Sequence, residues 1–461
     1  MENEERTFEE IRDGVVELLE QRKFIKAREE LLACNEADIA EILEEVLDKN
    51  GIDKLIIIFR MLPKDISVDV FSFLPTDDQL ALIDGITDKE ILYIVDEMDF
   101  DDMIDLMEEL PANLVDKILE KTPKDERRLI NTYLNYPDDC AGTLMTPDYI
   151  TLQREMTVRE AMEHIKREGL DSETVYTCYV KDKGRKLIGI VSLKNLVISD
   201  DNVKIEDIMH EDYISVNVYD DQEEVAEAFK KYDYLAIPVV DKEDRIVGII
   251  TFDDIMDVIE EENTEDIERM AGIMDSSDHE YLDLPVLGHV KSRLPWLFAL
   301  MCSYMITGGI IQHFEGMLSQ VISLVSYMPM LSGTGGNSGS QSATLVIRGL
   351  AMDELEPRDA AKVFWKELRV SMIIGISLSI LNFLRVWLID GNGFLVALTV
   401  SLSLALIVVI AKCAGGLLPI IAKKIGIDPA LVASPVISSL TDMASVLIYF
   451  ALATRILGLS S

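Results

Sequence analysis

One charged residue, Asp442, interrupts the apolar stretch PALVASPVISSLTDMASVLIYFALAT, which occupies residues 429–454. As a helix, a run of this length would cross a bilayer. A carboxylate at that depth costs at least roughly 2.5 kcal/mol, so it normally faces a water-filled cavity or a partner. Such groups mark ion paths by default, and carboxylate oxygens suit hard cations such as Mg²⁺. Asp442 is therefore a candidate cation ligand; the alternative is a buried carboxylate that only bonds a neighbouring helix.

The residues before Asp442 make one side of this predicted helix polar. Ser434, Ser438 and Asp442 recur every four residues, which places them in one row. Pro435 is expected to free a backbone carbonyl within the row, because proline inside a helix removes a hydrogen bond. One polar row cannot enclose a pore. A two-fold dimer would bring two rows, and two Asp442 carboxylates, together across its axis.

Four other charge-free runs bring the predicted number of membrane helices to five: residues 294–314, 316–347, 370–384 and 391–411. The second run is longer than one span and contains Pro329 and the glycine-rich segment GTGGNSGSQ, residues 333–341. We expect this run to be either long and tilted or broken. Asn337 and Gln341 share one helical face, which favours a polar lining, whereas the glycines also suit close helix packing alone.

The charge of the chain is divided unevenly. Residues 1–290 carry 31 Lys and Arg against 74 Asp and Glu, whereas residues 291–461 carry 12 against 9. Such a surplus attracts cations and repels nucleic acid, so no nucleic-acid partner is expected. Each acidic run taken alone is also typical of an ordinary solvated helix face.

Most basic residues beside the predicted spans fall on one side of the membrane, with Arg385 and Arg455 as exceptions: Lys291, Arg293, Arg348, Arg358, Lys362, Lys366, Arg369, Lys423 and Lys424. The positive-inside rule then predicts a multi-pass protein of the cell membrane, with its acidic N-terminal part in the cytoplasm and its C-terminus outside. Lys412 lies near the end of the fourth span, and we expect its ammonium group to reach the interface by snorkelling.

The acidic part begins with an all-helical pattern from Phe8 to about Asn135, assigned to a domain of residues 1–137. Leu-Pro steps at residues 62–63, 74–75 and 110–111 are predicted helix starts, where proline is tolerated in the first turn. Short helices in series predict an α-superhelical domain.

A duplication follows at residues 138–258, with copies at about 142–200 and 205–258. Three pairs of residues share one offset of 59 positions: Gly189 with Gly248, Ser192 with Thr251, and Asn195 with Asp254. Each copy reads as strand, glycine turn, strand and a helix capped by Ser or Thr. These residues, with the strand at 236–241, resemble a pair of α/β CBS domains. The resemblance implies an adenine nucleotide such as ATP, held in the second copy by Asp254 and Thr251, because Asn195 replaces the acid in the first.

Residues 259–288 predict an acidic connecting helix and a linker, and the membrane domain is assigned to residues 289–461. In this order of domains, and in its Gly-Thr-Gly-Gly-Asn, Gln-Ser-Ala-Thr and late Asp motifs, the whole chain resembles the MgtE family of magnesium channels. The resemblance implies a homodimer whose pore binds hydrated Mg²⁺ at Asp442, with Asn337 nearby and Ser438 in the same polar row. Ser340 and Ser434 depart from the usual family pattern.

The resemblance also implies Mg²⁺ sensing at acidic residues of the cytoplasmic part. The matching positions are Asp69, Asp101 and Asp105 in the N-terminal domain, Asp221, Glu223 and Asp233 in the second CBS copy, and Asp254, Asp257, Glu262, Glu265 and Asp266 around the connecting, or plug, helix. The expected function is a Mg²⁺-selective uptake channel, gated closed by cytoplasmic Mg²⁺.

Two other functions stay open at this point. A secondary transporter of divalent cations such as Mg²⁺, Co²⁺ or Mn²⁺ also suits broken helices near the membrane centre. A membrane-anchored nucleotide sensor would use the CBS pair but leaves Asp442 unexplained. An enzyme is not expected, because the sequence shows no nucleophile and base at catalytic spacing.

Overall fold

The computed structural model describes residues 7–459 except 171, 275–280, 283, 353 and 433. The chain divides into two compact units, Met1–Ile259 and Glu260–Ser461, which are described separately.

Short helices follow one another through the first part of the first unit: α1 (Phe8–Glu20), α2 (Phe24–Leu31), α3 (Glu36–Asn50), α4 (Ile52–Phe59), α5 (Lys64–Ser72), α6 (Thr76–Gly85), α7 (Asp88–Glu97), α8 (Phe100–Glu109), α9 (Ala112–Lys121) and α10 (Lys124–Tyr133). Alternate helices pack on each other, α3 on α5, α4 on α6, α5 on α7 and α6 on α8. Helices α5, α6 and α9 begin directly after Pro63, Pro75 and Pro111, as predicted. Proline suits this position because the first helical N–H groups need no intrahelical acceptor.

The duplicated region follows as α11 (Ala141–Leu144), β1 (Tyr149–Gln153), α12 (Val158–Glu168), β2 (Thr174–Lys181), β3 (Leu187–Ser192), α13 (Leu193–Ile198), α14 (Ile205–Ile208), β4 (Val216–Asn217), α15 (Gln222–Tyr232), β5 (Ala236–Val240), β6 (Ile246–Thr251) and α16 (Phe252–Ala271). Sheets β1-β2-β3 and β4-β5-β6 have the same topology, a parallel pair followed by an antiparallel pair. The predicted duplication is confirmed.

One local prediction in this region is wrong. Gly189 and Gly248 lie inside β3 and β6, not in the turns before them. The third strand of each copy is covered by a methionine: a Cβ on Gly248 would lie 2.7 Å from the Met145 sulfur, and one on Gly189 would lie 3.1 Å from the Met209 sulfur. The shared glycines therefore mark close side-chain packing on a strand.

The second unit contains α17 (Val286–His313), α18 (Glu315–Gln320), a 3₁₀ turn (Ile322–Tyr327), α19 (Met328–Ala351), α20 (Ala360–Leu384), α21 (Phe394–Lys424) and α22 (Ser434–Leu457). Within the described residues, four segments are helical, long and apolar enough to cross a membrane: Val286–His313, Pro357–Ile389, Phe394–Lys424 and Pro429–Leu457. The polar helix α19 is not among them, so the count of five spans stays a prediction.

The long run at 316–347 is broken, which confirms one of its two predicted forms. The break falls at Val321, whose φ of −138° and ψ of 82° are not helical, and Pro329 lies in the first turn of α19. Pro435 likewise lies in the first turn of α22. The prediction that Pro435 frees a carbonyl inside the polar row is wrong, because a first-turn N–H has no intrahelical acceptor to lose.

The glycines of α19 allow close packing on α21 and α22. A Cβ on Gly335 would lie 2.8 Å from an Ile407 side-chain carbon, and one on Gly339 would lie 2.6 Å from an Ile437 side-chain carbon. On α21, a Cβ at Gly415 would collide with the Gly339 carbonyl oxygen. Small residues permit this approach where apolar burial gives little driving force in lipid.

Candidate functional site

Asp442 lies on α22 and is half-buried. Its carboxylate accepts a hydrogen bond from the Ser332 hydroxyl of α19. The Tyr304 hydroxyl of α17 is a second hydrogen-bond partner. Three helices thus meet at one carboxylate within an apolar unit. Nothing in the sequence singles out Ser332 or Tyr304, because the three residues lie far apart in the chain.

The other predicted pore residues occupy two different faces. Ser438 lies beside α19, where a Cβ on Gly336 would come 3.3 Å from its hydroxyl oxygen. Asn337 is exposed, as are Gln341 and Thr344 further along α19. At about 100° per residue, Asn337 is about 140° around the helix from Ser332. A single chain therefore does not bring Asn337 to Asp442.

Lys412 does not snorkel, so that prediction is wrong. The residue is 5% exposed, and its ammonium group donates to the Ser342 hydroxyl of α19 over 3.3 Å. Ser342 in turn donates to the Glu367 carboxylate of α20 over 2.7 Å. A buried charge needs a compensating partner, and the path through Ser342 to Glu367 supplies one inside the unit.

A second acidic site lies in the first unit, in a cleft of about 420 Å³. The predicted residues Asp69, Asp101, Asp254 and Asp257 all line it. Five further carboxylates share the cleft and were not predicted: Glu97, Asp99, Asp102, Asp253 and Glu173. No Lys or Arg is among the described residues that line the cleft. The concentration of like charge attracts cations to this cleft.

Burial and mutual repulsion raise the carboxyl pKa values in this cleft. Burial, followed by the charges of Asp254, Glu173 and Asp102, raises the pKa of Asp101 to about 8. Burial, followed mainly by nearby Asp residues, raises the pKa of Glu173 to about 7. The pKa values of Asp69, Asp102 and Asp254 are also raised, with burial as the main cause. A divalent cation would relieve this repulsion.

Seven of the predicted sensing residues lie outside this cleft, and four of them are on or beside α8 and α15. Asp105 is exposed on α8, outside the cleft. Asp221 caps the N-terminus of α15 by accepting from the Glu223 backbone N–H, and Asp233 ends the same helix in a left-handed conformation. An 11-residue helix is about 16 Å long, so these carboxylates cannot share one ion. Asp221 and Asp233 have local structural roles that explain their acidic side chains.

The connecting helix is α16, one continuous helix of 20 residues. In its second half, Arg269 pairs with Glu265 and, over 2.9 Å, with Asp428. Burial, followed by the charges of Asp428 and Glu262, raises the pKa of Asp266. The predicted residues Glu262, Glu265 and Asp266 thus belong to one group of charged side chains. The group also contains Asp428, an acid that was not predicted, and the cation Arg269.

The donor geometry suits hydrated ions. Among the described residues, no three His, Cys, Asp or Glu side chains converge to hold a metal ion directly. Mg²⁺ dehydrates reluctantly and is commonly held through its waters by one or two carboxylates. Both the acidic cleft and Asp442 fit that mode of binding.

The predicted nucleotide ligands are hydrogen-bonded to each other. The Thr251 hydroxyl donates to the Asp254 carboxylate over 2.6 Å, and the Thr251 N–H donates over 3.2 Å. In the first copy the equivalent residue, Asn195, contacts the His210 ring over 3.1 Å. Asp254 therefore belongs both to the helix cap and to the acidic cleft.

The raised pKa values predict a pH dependence of stability. An unfolded carboxyl titrates near pH 4, so between about pH 4 and pH 8 the folded cleft binds more protons than the unfolded chain. Stability without divalent cations should fall as pH rises through this window, and Mg²⁺ should restore more stability at pH 8 than at pH 6. Thermal unfolding of the full chain in detergent, with and without Mg²⁺, measures both trends. A Mg²⁺ effect of equal size at the two pH values would contradict the prediction.

Comparisons with known proteins agree with this architecture. Residues 328–452 match a family described as a divalent cation transporter, residues 34–139 match the MgtE intracellular N domain, and residues 141–200 and 205–261 match CBS domains. A crystal structure of the soluble part of a magnesium transporter superposes with a TM-score of 0.50 at 32% identity, covering 56% of this chain and 99% of that chain.

Curated relatives extend the match across the domains. The magnesium transporter MgtE of Thermus thermophilus is 40% identical over 331 residues, which cover 72% of this chain and 73% of the relative. MgtE of Bacillus subtilis is 37% identical over 336 residues, covering 73% and 74%. The acidic helical domain, the CBS pair and the apolar helical unit therefore form one membrane transporter and not an enzyme, and the chain belongs to the MgtE family of magnesium transporters.

Proposed function

We propose that this protein is a Mg²⁺-selective channel for magnesium uptake, which closes when cytoplasmic Mg²⁺ fills its acidic sites. The observation that carries the pore is Asp442, a half-buried carboxylate in an apolar helix, bonded to hydroxyls of two other helices. A carboxylate among hydroxyls can hold a hydrated cation without stripping its waters. Transport through Asp442 would be fast because such binding is weak enough to release the ion.

We propose a homodimer as the assembly. Asn337, Gln341 and Thr344 form an exposed polar row on α19, and lipid chains cannot satisfy these groups. Facing the same row of a second copy across a two-fold axis would give them polar partners or water. The pore would then lie at the axis, with one Asp442 from each copy.

We propose that the acidic cleft senses Mg²⁺. Its nine carboxylates repel one another, at a cost on the order of 1 to 4 kcal/mol for each close pair. Divalent cations remove this cost and favour the compact arrangement of the first unit. Glu262, Glu265 and Asp266 would add a second group of sensing residues on α16. Filled sites would hold the pore closed, and empty sites would let it open.

We further propose that the second CBS copy binds an adenine nucleotide such as ATP. Thr251 and Asp254 already bond each other, so a ribose hydroxyl would use the remaining acceptor positions of the carboxylate. The proposed orientation has the N-terminus in the cytoplasm and the C-terminus outside, following the basic residues beside the spans.

Flux through the wild-type protein tests this proposal. The full chain is reconstituted into liposomes, and Mg²⁺ is varied on the side that faces the acidic unit. We expect Mg²⁺ flux with resolvable single-channel currents, and we expect both to fall as the facing Mg²⁺ concentration rises. Flux without resolvable currents would instead indicate a secondary transporter, and flux that ignores facing Mg²⁺ would contradict the gating proposal.

A further inference from the structure

Asp442 is held by two hydroxyls, Ser332 on α19 and Tyr304 on α17. We propose that these two hydroxyls set the affinity and selectivity of the Asp442 site, by occupying carboxylate lone pairs that a dehydrated cation would need. This inference rests on the proposed role of Asp442 in the ion path. It assigns Ser332 and Tyr304 as residues that determine specificity for the transported ion.

The bonds to Asp442 differ from the bonds that the Ser and Thr hydroxyls of α22 donate. Ser439, Thr441 and Ser445 donate to backbone carbonyls of their own helix, those of Val436, Ser438 and Thr441. Such bonds are local and need no neighbouring helix. Ser332 instead donates across the unit to a carboxylate, and Tyr304 reaches the same group from a third helix. Two helices thus supply donors to the one carboxylate of α22.

The chemistry of a carboxylate explains why this matters for selectivity. Its two oxygens offer about four lone-pair positions. Bonds from hydroxyls to a charged oxygen are stronger than neutral ones, so the positions that they use are not easily surrendered. A hydrated Mg²⁺ needs only one or two acceptors for its water molecules, and the remaining positions suffice.

Cations that shed water more readily place different demands on the site. Mn²⁺ also accepts carboxylate ligands. Direct coordination requires carboxylate oxygens whose lone pairs are not already used by hydrogen bonds. The two hydroxyl donors oppose that mode because they would have to be displaced or moved. The site as built therefore favours an ion bound through water, and loss of the donors should favour direct binding of Mn²⁺.

Ser332→Ala and Tyr304→Phe test this inference, each removing one donor with little change in shape. Full-length variants are reconstituted into liposomes, and Mg²⁺ and Mn²⁺ fluxes are measured over a range of concentrations. We expect the Mn²⁺ to Mg²⁺ flux ratio to rise on the order of tenfold in each variant, and further in the double variant, as loss of a charge-assisted hydrogen bond would allow. The Mn²⁺ concentration for half-maximal flux should fall in parallel.

Matched controls remove hydroxyls elsewhere in the unit. Tyr449→Phe removes a hydroxyl that donates to the Leu324 carbonyl over 3.0 Å, and Ser445→Ala removes one that donates to its own helix. Neither should change the flux ratio. Ser332→Thr keeps the hydroxyl and should preserve the wild-type ratio.

A binding measurement separates selectivity from folding. Mn²⁺-dependent thermal stabilisation of the full chain in detergent should begin at a lower Mn²⁺ concentration in Tyr304→Phe, even if Ser332→Ala folds poorly. Wild-type flux ratios and wild-type Mn²⁺ stabilisation in Tyr304→Phe would overturn the inference while leaving the ion path intact. Undiminished flux in Asp442→Asn would instead overturn the proposed function on which it rests.

Discussion

Replacing Asp442 with alanine is expected to reduce Mg²⁺ flux into liposomes by at least a hundredfold. Asp442 is the carboxylate of the polar row on α22, and it meets hydroxyls from α17 and α19. A cation that enters the apolar unit leaves bulk water behind, and the Asp442 charge offsets part of that loss. Without this charge, entry of the cation costs several kcal/mol more. Each ~1.4 kcal/mol of barrier slows passage about tenfold. The measurement is initial Mg²⁺ uptake into vesicles with equal amounts of reconstituted protein.

Two further variants sharpen the Asp442 experiment. Asp442→Asn keeps the shape and an acceptor for Ser332 but removes the charge, so it should lose nearly as much flux as alanine. Asp390→Asn is the matched control, because Asp390 lies just after α20, where its carboxylate accepts from the Tyr327 hydroxyl over 2.8 Å. It should transport almost normally. Equal flux in wild type and Asp442→Ala would mean that the carboxylate is structural and the ion path lies elsewhere.

Neutralising the acidic cleft is expected to abolish inhibition by facing Mg²⁺. In the triple variant Asp101→Asn, Asp254→Asn and Asp257→Asn, three of the nine carboxyl groups can no longer ionise, while their shape is kept. Fewer like charges should make the first unit more stable without Mg²⁺ and should reduce the stability gained on adding Mg²⁺. Flux should then continue at facing Mg²⁺ concentrations that close the wild-type pore.

The control for the cleft is Asp105, which lies one turn after Asp101 on α8. Asp105 is exposed on α8 and does not line the cleft, although sequence resemblance assigned it to sensing. Asp105→Asn should keep wild-type inhibition. If Asp105→Asn released inhibition and the triple variant did not, the sensing site would follow the sequence assignment and not the cleft.

The order of the domains was predictable from sequence because its signals are local. Helix periodicity, the proline steps before α5, α6 and α9, and the offset of 59 residues in the duplication each depend on neighbouring residues or on repetition. The polar row with Ser438 and Asp442 also belongs to one helix. Periodicity is enough to predict such features because a helix places residues three and four apart on one face.

Tertiary structure decided which of the charged and polar residues meet. Glu173 precedes β2 and joins acids of α8 and α16 in the cleft, whereas Asp221 and Asp233 separate to the two ends of α15. The hydrogen-bond chain from Lys412 through Ser342 to Glu367 joins three helices.

The hydrogen-bond partners of Asp442 depend on the packing of α17, α19 and α22. The contact with Ser332 spans 110 positions in the chain, and Asn337, which the sequence motif favoured, lies on another face of α19. Composition and spacing predicted a carboxylate inside a membrane-spanning helix. Its hydrogen-bond partners could not be predicted in the same way, because they depend on how α17, α19 and α22 pack, and helix packing is set by side chains that are distant in sequence.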